Sequence, residues 1–241
     1  MAQRSSPPPE AAPYLAATPY VDHTSPEVRA FVAHALDGLP EESSETDIAI
    51  RLFEAVRDHL RYDPYTFGLE TGDYRASRIA QQDSGFCVPK AILLAACLRA
   101  AGIPAALGFA DVRNHLNTPK LAEMMQTDLF IFHGYVQLWL DGKAYKVTPA
   151  FNLELCERFG VKPLVFDGKS DALFHEYDQG GRQHMEYVND RGLFIDMPAE
   201  DFLTLFKATY PGLEAHSRAK LLVKGAEGID EGFAAQGKVR T

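Results

Sequence analysis

The sequence predicts an α+β fold in which helices precede a set of antiparallel strands. Segments with helical periodicity and helix caps lie mainly before residue 102, and alternating segments with hairpin turns lie mainly after it. No internal repeat and no long linker divides the 241 residues. We therefore expect a single domain over residues 20–241, preceded by a largely disordered tail over residues 1–19 that is rich in Pro, Ser and Ala.

Two amphipathic helices are predicted in the N-terminal part of this domain. The first is SPEVRAFVAHALDG, because Ser25 can cap it, Pro26 suits its first position and Gly38 follows its end. The second is ETDIAIRLFEAVRDHLRYDP, which ends before Pro64. Its apolar residues recur every four positions and form one face: Ile48, Leu52, Val56 and Leu60.

A third helix is predicted within DSGFCVPKAILLAACLRAAGIP, residues 83–104. It starts near Cys87 and tolerates Pro89 in its first turn, where backbone N–H groups have no intrahelical partner. It ends before Gly102. Because the helix is apolar on nearly every side, we expect it to be buried.

The strands are predicted from three alternating segments: PAALGFADV, DLFIFHGYVQLWLDGKAYKVTPAF and MEYVNDRGLFIDMP. A two-residue Asp-Gly turn at 141–142 pairs Leu140 with Lys143. In that register, Thr148 lies opposite Tyr135.

The C-terminal part is predicted to contain one more helix, AEDFLTLFKATY, which stops at Pro211. The polar, glycine-containing end from about residue 225 to residue 241 is expected to be loosely held.

The composition excludes several classes of protein. The formal net charge is −9 and no basic stripe is visible, which argues against a nucleic-acid partner. The three cysteines are odd in number and lack C-x-x-C spacing, so we expect neither a disulfide framework nor a thiol zinc site. No apolar leader and no run of about 18 apolar residues is present, so we expect a cytoplasmic protein without a membrane partner.

Cys87 is the candidate nucleophile. At the start of a helix, backbone N–H groups and the positive end of the helix dipole favour the thiolate and can hold an oxyanion. Gly85 lets the backbone bend sharply before the cysteine, and the glutamines at 81–82 can supply a side-chain amide to the oxyanion. A lone cysteine is more often a packing residue, and Cys97 and Cys156 are assigned to packing.

His133 is the candidate base. Alternation places its side chain on one strand face with those of Tyr135 and Trp139, and the hairpin register makes Thr148 its diagonal neighbour. The Thr148 hydroxyl can then orient the imidazole. Since a strand histidine is by itself more often structural, the prediction depends on the pairing of His133 with Cys87.

Three segments together, HLRYDP, GFCVPKAILLAACLRAAGIPA and FHGYVQLWLDGKAYKVTPAFN, resemble the transglutaminase-like superfamily, a papain-related α+β fold. The resemblance covers roughly residues 45–155. It implies that Cys87 is the nucleophile, that His133 is the general base and acid, and that the third triad member lies at Thr148. The family commonly has Asp before Pro there, whereas a threonine hydroxyl orients the ring without supplying charge, and Asn152 is a second neutral candidate.

The predicted function is cysteine-dependent acyl transfer on an amide or peptide-like substrate, by hydrolysis or amide transfer through a thioester intermediate. Neither a cofactor nor a metal is expected. Residues 156–224, beyond the recognisable core, are expected to determine which substrate is accepted.

Two alternatives stay open. A domain of the same fold that has lost catalysis would bind peptides or a partner protein, and the missing carboxylate at Thr148 supports this reading. A metal-dependent hydrolase would use His133 with His115, His175 or His184, although no metal-ligand spacing such as H-x-x-x-H is present. The sequence leaves the oligomeric state open.

Overall fold

The computed structural model describes residues 8–114, 118–173 and 185–222, and within them it confirms an α+β fold with helices packed on an antiparallel sheet. The helices are α1 (Pro26–Ala35), α2 (Glu45–His59), α3 (Ala76–Ile79), α4 (Cys87–Ala100), α5 (Pro119–Met125), α6 (Leu153–Phe159), α7 (Ala199–Thr209) and α8 (Pro211–Leu222). The strands are β1 (Arg61–Tyr62), β2 (Ser84–Gly85), β3 (Ala105–Asn114), β4 (Leu129–Leu140), β5 (Lys143–Val147) and β6 (Met185–Phe194). No helix within these ranges is long and apolar enough to span a membrane.

The main sheet has the strand order β5-β4-β3-β6, and all its neighbours are antiparallel. The hairpin of β4 and β5 has the predicted register, because Leu140 pairs with Lys143 and Val136 pairs with Val147. Both turn residues, 141–142, have left-handed φ angles of 48° and 76°, as an Asp-Gly hairpin turn requires. The strands β1 and β2 form a separate parallel pair.

Helix α4 lies at the centre of the core, which confirms the predicted burial. Every residue from Cys87 to Arg99 is buried, and the helix contacts β3, β4 and the first three helices. Its first turn meets β4 at Gly134, where an added Cβ would lie 3.0 Å from the Cα atom of Val88. Because Gly134 has no side chain, β4 passes directly over the start of α4.

Lys90 ties the first turn of α4 to the end of α2. Its side chain is fully buried, and Nζ donates to the carbonyl oxygens of Arg57, at 2.7 Å, and Leu60. These carbonyls belong to the end of α2, where C=O groups have no helical partner. Burial lowers the pKa of Lys90 to about 7. Cys87, which lies three residues before Lys90 in α4, is thereby fixed in position relative to α2.

The N-terminal segment is packed on the sheet from Ala11 onward. Ala11 is fully buried, and the ring of Tyr14 stacks on Trp139 with the ring centroids 5.2 Å apart. The prediction of a largely disordered tail over residues 1–19 is therefore wrong for this part. Composition alone does not show that one tyrosine and one alanine find partners on the outer face of the sheet.

Sequence analysis missed four helices of the described chain, α3, α5, α6 and α8. The predicted last helix corresponds to α7, which ends before Pro211 as predicted, but Pro211 is the first residue of α8. Proline is favoured at the first position of a helix, so the residue that stops one helix also starts the next. The end that was expected to be loosely held, from about residue 225 to residue 241, lies outside the described residues.

Gly134→Ala is expected to lower the free energy of unfolding by about 1–3 kcal/mol, because the new methyl group meets backbone atoms of α4 that cannot rotate away. Urea unfolding followed by circular dichroism measures the change. Gly72→Ala is the matched control, since nothing lies within 4 Å of an added Cβ there. It should change the free energy by less than about 0.5 kcal/mol. Equal effects at the two positions would contradict the tight contact.

Candidate active site

A short parallel pair of strands brings the chain to Cys87. β1 and β2 pair Tyr62 with Gly85, and the backbone N–H of Tyr62 donates to Oδ1 of Asn152 at 3.0 Å. Gly85 lies in this strand, and a Cβ there would lie 3.2 Å from Cγ of Pro89. A side chain at this position would therefore be tightly packed against Pro89, and the predicted role of Gly85 in a sharp bend is wrong, because the residue lies in an extended strand.

Cys87 is the first residue of α4, as predicted, and its side chain is buried. Phe86 at the N-cap makes no side-chain hydrogen bond, so it leaves the first N–H groups of the helix to the sulfur. Hydrogen bonds from the N–H groups of Gly134, Val88 and Cys87 lower the pKa of the thiol, but burial outweighs them and raises it to about 11. The helix start thus favours the thiolate, as expected, but burial has the larger effect and the thiol is neutral at pH 7.

A β-bulge in β4 sets the position of His133. This residue pairs with Ala110 of β3, and the register shifts directly before that pair. The extra residue is accommodated at Phe132, whose φ is +54°. Asp111 supports the bulge, because its carboxylate accepts from the Phe132 N–H at 3.1 Å and from Nε of Arg191 at 2.6 Å.

The edge of β4 next to His133 is left uncovered by β5. β5 ends at Val147, opposite Val136, and beyond that point the N–H of Gly134 donates to the Cys87 sulfur. The backbone of His133 therefore lies beside the thiol, while alternation places its side chain on the opposite strand face from Gly134.

The imidazole of His133 is buried, with 5% of the residue exposed, and its Nε2 atom has no hydrogen-bond partner. No hydrogen bond therefore joins Nε2 to Cys87. Burial lowers the pKa of His133 to about 4, so the ring is neutral at pH 7. The candidate base is thus uncharged, and one of its nitrogen atoms is available.

Thr148 is also buried, and its hydroxyl oxygen has no hydrogen-bond partner. Its backbone N–H donates to the carbonyl of Ala172 at 2.8 Å. The hydroxyl therefore makes no hydrogen bond to His133. Asn152, the second neutral candidate, uses Oδ1 to accept from the Tyr62 N–H.

A roof of apolar side chains covers Cys87 and encloses a cavity of about 30 Å³. The roof consists of five residues from α5, from α7 and its end, and from α8: Leu121, Met125, Phe206, Tyr210 and Leu213. The hydroxyl of Tyr210 fastens it to β4, because it accepts from the Ile131 N–H and donates to the Leu129 carbonyl, both at 2.7 Å. Sequence analysis missed the roof because its members come from distant segments, two of which were not predicted as helices.

The other candidate residues have different surroundings. Gln81 donates its side-chain amide to the carbonyl of Ser77 at 3.1 Å. Cys97 and Cys156 are buried and free of disulfides, as expected of packing residues. Three candidate histidines lie outside the described residues: His115, His175 and His184. In the described part of the chain, no group of three His, Cys, Asp or Glu side chains is placed to hold a metal ion.

Comparison with known proteins identifies the family. Residues 33–148 match the model of the transglutaminase-like superfamily. This segment, slightly less than half of the chain, belongs to the transglutaminase-like superfamily. The match begins within α1, contains Cys87 and His133, and ends at Thr148.

One solved structure is similar to this transglutaminase-like chain, that of a protein from Cytophaga hutchinsonii described as a "Putative Cysteine Protease". The two sequences are 12% identical, and the TM-score is 0.44. The similarity covers 78% of this chain and 55% of that chain, so the present chain spans about half the length of its neighbour. No curated protein matches the sequence significantly. The family match over residues 33–148 leaves the substrate open.

The low pKa of His133 predicts a pH-dependent contribution to stability. The unfolded chain binds a proton at this residue near pH 6.5, whereas the folded protein binds it only near pH 4, so stability is lost as the pH falls between these values. His133→Phe should give a shallower dependence of the free energy of unfolding on pH, measured by urea unfolding. Thr148→Val, at a buried position directly after β5 and without a titrating group, should keep the wild-type slope. An unchanged slope in His133→Phe would contradict the burial of the imidazole.

Tyr210→Phe is expected to loosen the roof, because it leaves the Ile131 N–H and the Leu129 carbonyl without their buried partner. Such a loss costs about 1–3 kcal/mol, so alkylation of Cys87 by iodoacetamide should become about tenfold faster. Peptide mass mapping measures the rate. Tyr135→Phe is the control, since that hydroxyl donates to Asp190 at 3.4 Å, away from the roof. Equal rates in both variants would show that Tyr210 does not limit access to the thiol.

Proposed function

We propose that this chain is a cysteine-dependent acyl-transfer enzyme for amide or peptide-like substrates, with Cys87 as nucleophile and His133 as general base and acid. One observation carries the proposal. The Cys87 sulfur receives backbone N–H groups from the start of α4 and from Gly134, the residue that directly follows His133. A sulfur in this position has hydrogen-bond donors around it, and the candidate base directly precedes one of these donors in β4.

In the first step, the Cys87 sulfur attacks the acyl carbon of the substrate, and the thiol proton passes to the imidazole of His133. The carbonyl oxygen becomes an oxyanion, which the N–H groups at the uncapped start of α4 stabilise. When this intermediate collapses, the C–N bond breaks and the amine leaves with the proton from His133. The acyl group remains on Cys87 as a thioester.

In the second step, water or an amine attacks the thioester. His133 takes the proton of the attacking group and returns it to the sulfur as the C–S bond breaks. We assign Thr148 a positioning role here, because its unpartnered hydroxyl oxygen can accept a hydrogen bond from the imidazolium. Hydrolysis and amide transfer use the same residues, so the geometry supports both.

Because Cys87 and His133 are both neutral in the covered site, the first proton transfer between them is restricted. With a thiol pKa of about 11 and an imidazole pKa of about 4, proton transfer from Cys87 to His133 is unfavourable while the site is covered. Both shifts are caused by burial, so admitting substrate and water beneath the roof moves both pKa values back toward their ordinary ranges. Catalysis therefore requires substrate and water to reach the covered site.

Acylation by p-nitrophenyl acetate tests the proposal. The native chain should release a burst of p-nitrophenolate and carry an acetyl group on Cys87, detected by peptide mass mapping. Cys87→Ser should abolish the adduct, whereas Cys97→Ala, a change in the same helix, should retain it. His133→Asn should slow acylation by about 10²–10⁴-fold. Thr148→Val should slow deacylation without loss of stability, because it removes a buried hydroxyl that has no partner.

A second function is favoured by the burial of both candidate groups, namely a catalytically inactive module of the same fold that binds peptides or a partner protein. The acylation experiment separates the two functions. If no acetyl group appears on Cys87 in the native chain or in Cys97→Ala, the enzyme proposal fails and the binding module is the better account.

A further inference from the structure

The cavity beside Cys87 indicates the kind of acyl group that fits this site. We propose that Cys87 accepts short apolar acyl groups, of acetyl or propionyl size, and that the roof excludes longer and charged ones. The inference depends on the proposed function, since it describes the acyl half of the same reaction.

The size of the cavity sets the upper limit. Its volume is about 30 Å³, whereas an apolar cavity that binds benzene has about 150 Å³. Such a space accepts a methyl or ethyl group but not a longer chain. The roof residues Leu121, Met125 and Leu213 are at most 3% exposed, so they are packed on their other sides and cannot move aside without cost.

The side chains that line the cavity favour an apolar acyl group. No charged side chain of the described residues lines the cavity. The hydroxyl of Tyr210 is already bonded on both sides, to the Ile131 N–H and to the Leu129 carbonyl. An ammonium or carboxylate group placed here would lose its hydration without gaining a hydrogen bond.

The arrangement of bonds around the acyl carbon directs its carbon substituent into this cavity. A carbon that is bonded to the Cys87 sulfur carries the carbonyl oxygen, the leaving group and one carbon substituent. The N–H groups at the start of α4 hold the oxygen, and the leaving group has to depart to solvent. The carbon substituent is then the group that faces the cavity, which Cys87 itself lines.

Acylation by p-nitrophenyl acetate, propionate, butyrate and hexanoate tests the inference on the native full chain. In each reaction the bond between sulfur and acyl carbon forms, the ester C–O bond breaks, p-nitrophenolate leaves, and the thiol proton passes through His133 to water. Dividing each rate by that of N-acetylcysteine cancels the intrinsic reactivity of the ester. The corrected rate of adduct formation on Cys87 should fall at least about tenfold from propionate to hexanoate.

Two substitutions that enlarge the cavity, Leu121→Ala and Met125→Ala, should raise the hexanoate rate relative to the acetate rate by at least about fivefold. Leu155→Ala is the matched control, because Leu155 is 2% exposed, lies in α6 and does not line the cavity. It should leave the ratio unchanged. Should one enlarged variant fail to fold, the other one carries the test.

Two results would overturn the inference while leaving Cys87 as the nucleophile. One is an equal corrected rate for all four esters, and the other is an unchanged hexanoate-to-acetate ratio in the enlarged variants. If no ester forms an adduct on Cys87, the proposed function fails together with the inference.

Discussion

The site depends on one backbone contact, between Gly134 of β4 and the first turn of α4. The two segments approach so closely that a Cβ on Gly134 would lie 3.0 Å from the Cα atom of Val88. This contact brings the Gly134 N–H to the sulfur, and His133 directly precedes Gly134 in β4. Lys90 fixes the same helical turn from the other side by bonding the end of α2. The position of Cys87 is thus determined by backbone groups and one buried ammonium, which hold it more rigidly than loop side chains would.

Burial and hydrogen bonding act on the thiol in opposite directions. The N–H groups around Cys87 favour a negative charge, yet the roof removes the water that would solvate it, and the pKa rises to about 11. A neutral thiol resists oxidation and unspecific acylation, because the thiolate is the reactive form. The N–H groups nevertheless stay in place for the charge that develops during the reaction. The roof therefore suppresses reactivity at rest and preserves the geometry needed for the transition state.

Sequence patterns predicted the features that depend on neighbouring residues. The Ser25 cap, the Asp-Gly turn and the apolar helix that begins at Cys87 are local, and the order and spacing of the core segments were sufficient to recognise the family. The patterns failed where distant segments meet, as when Tyr14 stacks on Trp139 or when three helices form the roof. The expectation of a thiolate at Cys87 was wrong for the same reason. The helix start is visible in the sequence, but the desolvation that outweighs it comes from packing.

Threonine suits position 148 better than a carboxylate does while the site is covered. A carboxylate in a position that is 2% exposed needs a charged partner, and the neutral imidazole of His133 does not provide one at rest. Burying a hydroxyl costs less, and its oxygen can still accept a hydrogen bond once proton transfer creates an imidazolium. In the proposed reaction, the N–H groups around Cys87 would then provide most of the stabilisation of the negative charge in the transition state. In the proposed acyl transfer, a neutral group at position 148 and a small apolar cavity would together favour a slow and selective reaction.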